Sequence, residues 1–292
     1  MSDQHDRIGN TGSPGRLSIV GTPIGNLGDF SPRGIETLES ADYIAAEDTR
    51  VTLRLLTHFG IKKPLLSYYK PKEQEKSERI ISLLSEGAHI ALVSDAGMPC
   101  ISDPGSVLVK KCRGLGIAVE VIPGCNAAVA AVAVSGLEIE RWVFEGFLPV
   151  PKKERFERLE QIKHLPHALV FYEAPHKIRQ TLCDMEQTLG EERKAVLCRE
   201  LTKIHEETIR GTLGELTRYY DDKEPRGEFV IVVEGASAAE SAEEFTLEQA
   251  VELARQIAEG GEKLPEACRR ASKATGIPKR DIYSAILIDS EQ

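Results

Sequence analysis

The chain has 292 residues, a hydrophobic fraction of 41% and a formal net charge of −9. This length and composition predict a folded protein of two compact units and a small extra one, and the charge argues against general electrostatic attraction to nucleic acid or acidic membranes. The six cysteines form no Cys-x-x-Cys pair, which argues against a zinc ribbon or a disulfide framework and indicates reduced thiols in a cytosol.

The first sixteen residues are polar and rich in Gly, Ser and Pro, and they lack the apolar core of a signal peptide. We expect them to form a mobile tail. The longest apolar run, Ala127 to Leu137, is well short of the roughly 20 residues that span a bilayer. A cytoplasmic protein without membrane contact is therefore expected.

Strand-like and helix-like segments alternate from Leu17 to Gly136. Short apolar runs are followed by glycine-rich or polar loops and then by segments with helical periodicity. Five such units in about 120 residues predict a mainly parallel sheet with helices on its faces. The predicted strands are Leu17–Val20, Tyr43–Ala46, Leu65–Tyr69, His89–Val93 and Ile117–Ile122.

A change in composition between Gly136 and Pro151, where the only tryptophan stands among prolines and lysines, indicates a domain junction. The following unit contains more strands and predicts a mixed sheet with helices. A small, polar segment after Gly235 indicates a linker. The predicted strands of this unit are Trp142–Phe147, Ala168–Glu173, Ala195–Glu200, Glu207–Gly211 and Glu228–Glu234.

From Phe245 to the end the pattern is purely helical, with breaks at Gly260-Gly261 and at Gly276-Ile277-Pro278. Three short helices with tight turns can form a helix-turn-helix unit. Six basic residues and one acidic residue stand between Lys263 and Arg280. They form either an RNA-binding face or an ordinary solvated charged face.

The predicted fold class is therefore α/β, with a mainly parallel sheet, then a mixed sheet, and a small C-terminal helical domain. The expected divisions are a disordered tail at 1–16, a first α/β domain at 17–138, a second at 139–236 and helices at 243–292.

The segment from Val93 to Gly105 follows the fourth predicted strand and holds two Ser-Asp pairs, two glycines and two prolines. In an open α/β sheet, ligands bind beyond the carboxyl ends of the strands, where glycines let a ligand approach the backbone. The alternative is a tight surface turn. The loop from Gly21 to Gly28 matches neither G-x-G-x-x-G nor the P-loop pattern, which argues against a nicotinamide or nucleoside-triphosphate site.

Four motifs in order, GTPIGNLGD, AEDTR, VSDAGMPCISDPG and IPGCNAA, resemble the tetrapyrrole methylase superfamily of S-adenosylmethionine-dependent methyltransferases. More narrowly, they resemble its ribosomal branch, the ribosomal RNA small subunit methyltransferase I family. The resemblance continues through FYEAPHKI, CRELTKIHEE and RGEFVIVVEG and covers nearly the whole chain from Leu17. Each motif alone is weak, whereas the ordered set is specific.

The resemblance implies a homodimer that binds S-adenosylmethionine between two domains, without a metal. It implies methylation of the ribose 2′-hydroxyl of cytidine 1402 in 16S ribosomal RNA, within the small ribosomal subunit. The cofactor has a sulfonium cation and no phosphates, so its loops need backbone amides, carbonyls and carboxylates. The implied cofactor-binding residues are Gly21, Ser94, Asp95, Ala96, Gly97, Met98, Ile101, Ser102, Asn126, Ala127, Ala128 and Leu197.

A ribose hydroxyl is a poor nucleophile near neutral pH, so a base or a cation that stabilises the developing alkoxide would accelerate its reaction. Lys203 or Arg199 is the hypothesised cation, and Asp95 and Asp103 are expected to shape their loop through hydrogen bonds to the backbone. The full set of catalytic candidates is Asp48 and Arg50 from AEDTR, Glu173 from YEAP, and Arg199, Glu200 and Lys203 from CRELTK.

Because the whole chain is acidic, contacts with RNA phosphates must come from local basic residues. Tyr68 and Tyr69 are candidates for stacking on bases or for core packing. Two other functions stay open, namely methylation of a tetrapyrrole or another small acceptor, and non-catalytic RNA binding in ribosome assembly. The phosphate-binding candidates are the C-terminal helices together with Lys70, Lys72, Lys152, Lys153, Arg155 and Arg158.

Overall fold

The computed structural model describes residues 15–221, 223–237, 247–259, 262–275 and 277–290. The expected tail at 1–16, the expected linker after Gly235 and the break at Gly260-Gly261 lie wholly or largely outside these residues. Within these ranges, no helix has the length and apolar character needed to cross a membrane.

The first sheet contains five strands, all parallel, in the spatial order β3-β2-β4-β1-β5. The predicted parallel sheet is therefore confirmed. Its strands are β1 (Arg16–Val20), β2 (Tyr43–Ala46), β3 (Leu65–Ser67), β4 (His89–Val93) and β5 (Ala118–Ile122). The helices that follow them in turn are α1 (Pro32–Ser40), α2 (Thr49–His58), α3 (Glu73–Ser85), α4 (Ser106–Gly114) and α5 (Ala127–Ser135).

Side chains that alternate along each strand build one core on each face of this sheet. Leu17 and Leu92 pack with Leu108 of α4 on one face, whereas Val20 and Val93 pack with residues of α1 and α2 on the other. The inner strands β2 and β4 are buried on both faces and are mostly apolar. The edge strand β5 instead exposes Glu120 and Val121.

The second sheet has the order β6-β7-β10-β8-β9, with β6 parallel to β7 and the other neighbours antiparallel. The predicted mixed sheet is therefore confirmed. The strands are β6 (Trp142–Phe147), β7 (Ala168–Glu173), β8 (Lys194–Arg199), β9 (Glu207–Thr212) and β10 (Phe229–Val233). Three helices cover one face of this sheet: α6 (Lys152–Ile162), α7 (Ile178–Leu189) and α8 (Leu213–Tyr219).

The other face of the second sheet is covered by α5. Ala128 and Ala131 are buried against Val170, Val196 and Val232. Alanines allow the helix axis to lie close to the strands, and Asn126 caps the helix by accepting a hydrogen bond from the Val129 N–H at 3.1 Å. The helix that follows β5 of the first sheet thus packs on the second sheet and holds the two sheets together.

The C-terminal helices are α9 (Leu247–Glu259), α10 (Leu264–Thr275) and α11 (Lys279–Ser290). They pack on one another around Val251, Ala254, Cys268 and Ile282, which confirms the predicted helical unit. Of the six basic residues between Lys263 and Arg280, three are held in ion pairs: Arg269 with Glu266, Arg270 with Glu262 and Arg280 with Asp281.

Candidate functional site

A cleft with a volume of about 510 Å³ lies between the first sheet and the second. This is within the range of roughly 300–1,000 Å³ that is usual for small-molecule sites. On one side it is lined by the loops after the carboxyl ends of β1, β2, β4 and β5, and on the other by the ends of β6, β7 and β8 and the start of β10.

The topology of the first sheet explains why a crevice opens there. The adjacent strands β1 and β4 send their connections in opposite directions, β1 towards β2 and β4 towards β5. The loop after β1 leads to α1 on one face of the sheet, and the loop after β4 leads to α4 on the other face. The two loops therefore leave space between them, and such a switch point is where ligands bind in open α/β sheets. The loop after β4, for which the sequence predicts ligand binding, lies at this switch point.

Strained backbone is concentrated on the two walls of the cleft. Cys100 and Ser102 in the loop after β4 have φ angles of 72° and 66°, and Glu200 and Thr202 after β8 have φ angles of 51° and 67°. Among the described residues, these four are the non-glycine residues with positive φ. Such conformations cost about 1–3 kcal/mol each and cluster at functional sites.

Two glycines set the spacing of the loops beneath the cleft. A Cβ atom on Gly21 would lie 2.7 Å from the Cα of Gly124 and 2.5 Å from the Sδ of Met98. The loop after β1 also pairs with the loop after β4, since the N–H of Thr22 donates to the carbonyl of Gly97 at 2.9 Å and the N–H of Gly97 donates to the carbonyl of Thr22 at 3.2 Å. Gly21 therefore supports the lining of the cleft from below.

Eight of the twelve predicted cofactor-binding residues line the cleft, and four do not. Gly21 lies below it, Ser94 is buried with its hydroxyl directed to the carbonyls of Ala96 and Gly97, and the N–H of Ala128 donates to the Tyr172 hydroxyl at 3.2 Å. The eight that line it are Asp95, Ala96, Gly97, Met98, Ile101, Ser102, Asn126 and Ala127.

Leu197 requires a correction. Its side chain is fully buried in the core beneath α6, α7 and α8, and its neighbour Cys198 lines the cleft instead. Successive side chains of a strand point to opposite faces, so the side chain of Leu197 faces away from the cleft that Cys198 lines.

The chemistry of the lining fits a flat, partly cationic ligand such as S-adenosylmethionine. Met98, Ile101 and Phe147 supply apolar surface, and the loop backbone supplies amides and carbonyls. Asp95 and Asp103 supply negative charge, which a sulfonium or ammonium group would balance.

Three carboxyl groups gather on the first-sheet wall: Glu47, Asp95 and Asp103. Burial, followed by the negative charges of Asp103 and Asp95, raises the pKa of Glu47 to about 7. Burial also raises the pKa of Asp95 and of Asp103 above their usual values. The sequence predicts that Asp95 forms a hydrogen bond to the backbone of its own loop. In the structure Asp95 instead accepts the backbone N–H of Asp48, in the loop after β2, at 3.0 Å.

Lys203 stands on the second-sheet wall between two carboxylates, with its Nζ 2.8 Å from Glu200 and 2.9 Å from Glu228. Burial lowers the pKa of Lys203, but the hydrogen bonds to these carboxylates outweigh that effect and raise it above its usual value. The Lys203 stem passes over Gly25, where a Cβ would lie 2.4 Å from Cγ. The ammonium group is thus fixed in place and charged.

The other catalytic candidates are engaged elsewhere or serve as supports. Asp48 caps α2 and forms a 2.6 Å ion pair with Arg50, whose hydrogen bonds lower the pKa of Asp48 to about 2; neither side chain lines the cleft. Arg199 also lies outside the lining and donates to Glu207 at 3.0 Å. Glu173 does line the cleft, and it accepts the Thr181 hydroxyl at 2.6 Å.

The catalytic candidates chosen from the AEDTR motif are Asp48 and Arg50 and do not include Glu47, although all three are charged residues at the end of the second predicted strand. The available signal was its place as the first residue after β2, because side chains just beyond a parallel strand face the ligand crevice. Phe147 and Tyr172 were also missed; their rings meet edge to face at 5.7 Å on the cleft wall.

The structure corrects one predicted phosphate contact, because Arg155 is buried in an ion pair with Asp184 at 2.6 Å. Arg158 is paired with Glu145 at 2.7 Å but is partly exposed, so it stays a candidate. Tyr68 is a core residue with no exposed surface. The remaining basic candidates, Lys70, Lys72, Lys152 and Lys153, are exposed.

Comparison with known proteins gives a consistent family. The family model for Tetrapyrrole (Corrin/Porphyrin) Methylases matches residues 16–217. The protein called ribosomal RNA small subunit methyltransferase I from Xylella fastidiosa is 46% identical over 93% of this chain and 98% of its own length. The protein of that name from Halalkalibacterium halodurans is 47% identical over 92% and 94%.

Among solved structures, the cobalt precorrin-4 methyltransferase of cobalamin biosynthesis superposes with a TM-score of 0.56 at 18% identity, covering 75% of this chain and 94% of its own. At this level of identity the likeness concerns the fold of the two α/β units.

Proposed function

Because the chain belongs to the tetrapyrrole methylase family and, within it, to the ribosomal RNA small subunit methyltransferase I family, we propose that it methylates ribosomal RNA of the small subunit. More specifically, it is an S-adenosylmethionine-dependent 2′-O-methyltransferase acting on the ribose of cytidine 1402 in 16S ribosomal RNA. The observation that carries the proposal is one cleft with a binding loop on one wall and a carboxylate-held lysine on the other.

The cofactor would bind against the loop after β4, with Asn126 and Ala127 beside it. When bound, it would supply a methyl group bonded to a sulfonium sulfur, and a nucleophile would attack the methyl carbon in line with the bond to the departing sulfur. Apolar contacts with Met98 and Ile101, together with the backbone groups around Gly97, would hold it against this wall. Orientation of this kind supplies a large part of the acceleration in two-substrate reactions.

Lys203 is the residue that stabilises the developing negative charge on the ribose oxygen. Its raised pKa keeps the ammonium protonated at neutral pH, so it acts as a cation and a hydrogen-bond donor. Glu200 holds it in place and also accepts the backbone N–H of Glu228 at 2.9 Å. The turn from Glu200 to Lys203 thus fixes the position of the Lys203 ammonium group.

The acceptor is a nucleoside rather than a stretch of RNA backbone. Six carboxyl groups and one lysine line the cleft, and such a surface repels phosphates. An exposed aromatic ring, Phe147, offers a face on which a splayed base can stack. Phosphate contacts would then fall to Lys70, Lys72 and the C-terminal helices outside the cleft.

The enzyme works as a homodimer in this proposal. The helix α5 is apolar on all sides, yet Val129 and Val134 on it are 55% and 40% exposed in the single chain. A helix that is hydrophobic all round is normally buried. A second copy of the chain covering this face would bury it. In this proposal the dimer acts in the cytoplasm, in ribosome biogenesis.

The acceptor class is tested with S-adenosylmethionine labelled in its methyl group. Small ribosomal subunits, naked 16S RNA and a tetrapyrrole precursor are each incubated with the enzyme, and a Lys203→Met variant serves as the control for cleft-dependent transfer. We expect label in subunits or 16S RNA with the wild type and little with the variant. Label in the tetrapyrrole alone would overturn the proposal.

A further inference from the structure

The carboxyl groups that line the cleft differ in whether the protein already engages them. On the first-sheet wall, Asp95 accepts the backbone N–H of Asp48 at 3.0 Å. Both oxygens of Glu173 are used, one by the Thr181 hydroxyl at 2.6 Å and one by the Ala174 N–H at 2.8 Å.

The remaining carboxylates on the second-sheet wall are engaged as well. Glu200 and Glu228 both bind the Lys203 ammonium, at 2.8 and 2.9 Å. A carboxylate bound to a fixed cation is a weak proton acceptor, because protonation would break the ion pair.

Glu47 stands beside both aspartates of the first-sheet wall. It is half-buried, it directly follows β2 and it lines the cleft. Within the described parts of the chain, no side chain donates a hydrogen bond to its carboxyl group, and the protein contact it accepts is the backbone N–H of Asp95. Its remaining lone pairs are therefore available to a ligand in the cleft.

The charged groups facing Glu47 favour a proton on it. Asp95 and Asp103 face it from the loop after β4 and Lys70 from the segment after β3. Burial and the two aspartates raise the pKa of Glu47 to about 7, against the opposing effects of the Asp95 amide and Lys70. A general base works best with a pKa near the operating pH. The charged or titratable groups of the opposite wall are Tyr172, Glu173, His176, Cys198, Glu200, Lys203 and Glu228.

We propose that Glu47 is the general base that removes the proton from the acceptor hydroxyl. This inference rests on the proposed function. The ribose O–H bond breaks as its proton passes to the Glu47 carboxylate, and the oxygen forms a bond to the methyl carbon. The carbon–sulfur bond breaks with its electron pair kept by sulfur, which gives S-adenosylhomocysteine. The Glu47 proton then leaves to water.

The assignment divides the work between the two walls. Lys203 is held protonated by two carboxylates and cannot accept a proton near neutral pH. It is suited to stabilise the oxygen as charge develops, while Glu47 takes the proton from the other side of the cleft. The two residues have different roles, so a Lys203 variant should lose stabilisation of the charge on the oxygen, whereas a Glu47 variant should lose the proton acceptor.

The test measures single-turnover methylation of small subunits from about pH 5.5 to about pH 9, with saturating cofactor. The variants are Glu47→Gln and Glu47→Asp, with Glu39→Gln on the exposed side of α1 as the matched control. For the wild type and the control we expect a rate that rises with pH and levels off above about 7. For Glu47→Gln we expect a rate at least about 100-fold lower without this inflection, and Glu47→Asp should restore part of the rate with the inflection.

Calorimetric titration with S-adenosylmethionine accompanies the rates, and we expect Glu47→Gln to bind within about 3-fold of the wild type. If Glu47→Gln keeps the wild-type rate and inflection, or loses cofactor affinity in proportion to rate, the assignment is overturned while the proposed function stands. If the wild type itself transfers no methyl group to ribosomal RNA, the proposed function fails and the assignment falls with it.

Discussion

Replacement of Gly124 by alanine tests whether the contact between the loops after β1 and β5 positions the cleft. The new Cβ atom would lie 2.6 Å from the carbonyl oxygen of Gly21 and 2.7 Å from its carbonyl carbon. Ordinary contacts begin at 3.4 Å, so the two backbones must separate by about 0.8 Å. Both partners are main-chain atoms, and no side chain can rotate away to relieve the clash.

The cost follows from what this separation disturbs. The N–H of Gly21 donates to the carbonyl of Ile122 at 3.0 Å, and this bond closes the ladder between β1 and β5. Overpacking of this kind costs about 1–3 kcal/mol. Because Met98 touches Gly21 and lines the cleft, we expect the affinity for S-adenosylmethionine to fall about 10-fold or more, which corresponds to about 1.4 kcal/mol.

The assay combines urea unfolding with calorimetric titration of the cofactor. Gly114→Ala is the matched control, since a Cβ at this last residue of α4 meets nothing within 4 Å; it should bind the cofactor normally and be about 0.5–1 kcal/mol more stable. A Gly124→Ala protein with wild-type stability and cofactor affinity would refute the reasoning.

Four further predictions follow from the site and its surroundings. Lys203→Met should lower the single-turnover rate about 100-fold with unchanged cofactor affinity; a normal rate would remove the lysine from the mechanism. Glu47→Gln should raise the free energy of unfolding by about 1–2 kcal/mol at about pH 8 and leave it unchanged at about pH 4, as measured by urea unfolding. The pKa of Glu47 is raised in the folded state, so its carboxyl group destabilises the fold only as the pH rises above its usual pKa and through the folded-state pKa. The magnitude is reduced because the side chain is partly exposed. Removal of the chain from Phe245 onward should weaken binding to small subunits in a filter assay and spare cofactor binding; equal losses would give the helices a structural role. Val129→Glu should shift the protein from dimer to monomer in light scattering, and an unchanged dimer would exclude this face.

The elements were predictable because their signals are local. Apolar runs such as His89–Val93 end at polar or glycine-rich loops, and Ser31-Pro32 marks the start of α1, where the Ser31 hydroxyl accepts the Gly34 N–H at 3.0 Å. The order of strands and helices then determines a parallel sheet, and the cleft at its carboxyl edge follows.

The features that could not be predicted from the sequence depend on the direction in which individual side chains point. Strand β8 is buried on both faces, so its apolar run does not distinguish Leu197 in the core from Cys198 in the cleft. In AEDTR the end of β2 and the cap of α2 decide that Glu47 faces the cleft while Asp48 turns to its own helix. Arg155 lies in a strongly charged segment, and its burial depends on Asp184, 29 positions away.

The central claim is that this cleft directs a methyl group to a ribose oxygen of small-subunit ribosomal RNA. It is tested most directly by methylating small subunits with labelled S-adenosylmethionine, digesting the RNA to nucleosides and identifying the labelled product. The account predicts label in 2′-O-methylcytidine, formed by the wild type and greatly reduced with Lys203→Met. Label in a base-methylated nucleoside, or in no nucleoside at all, would contradict it.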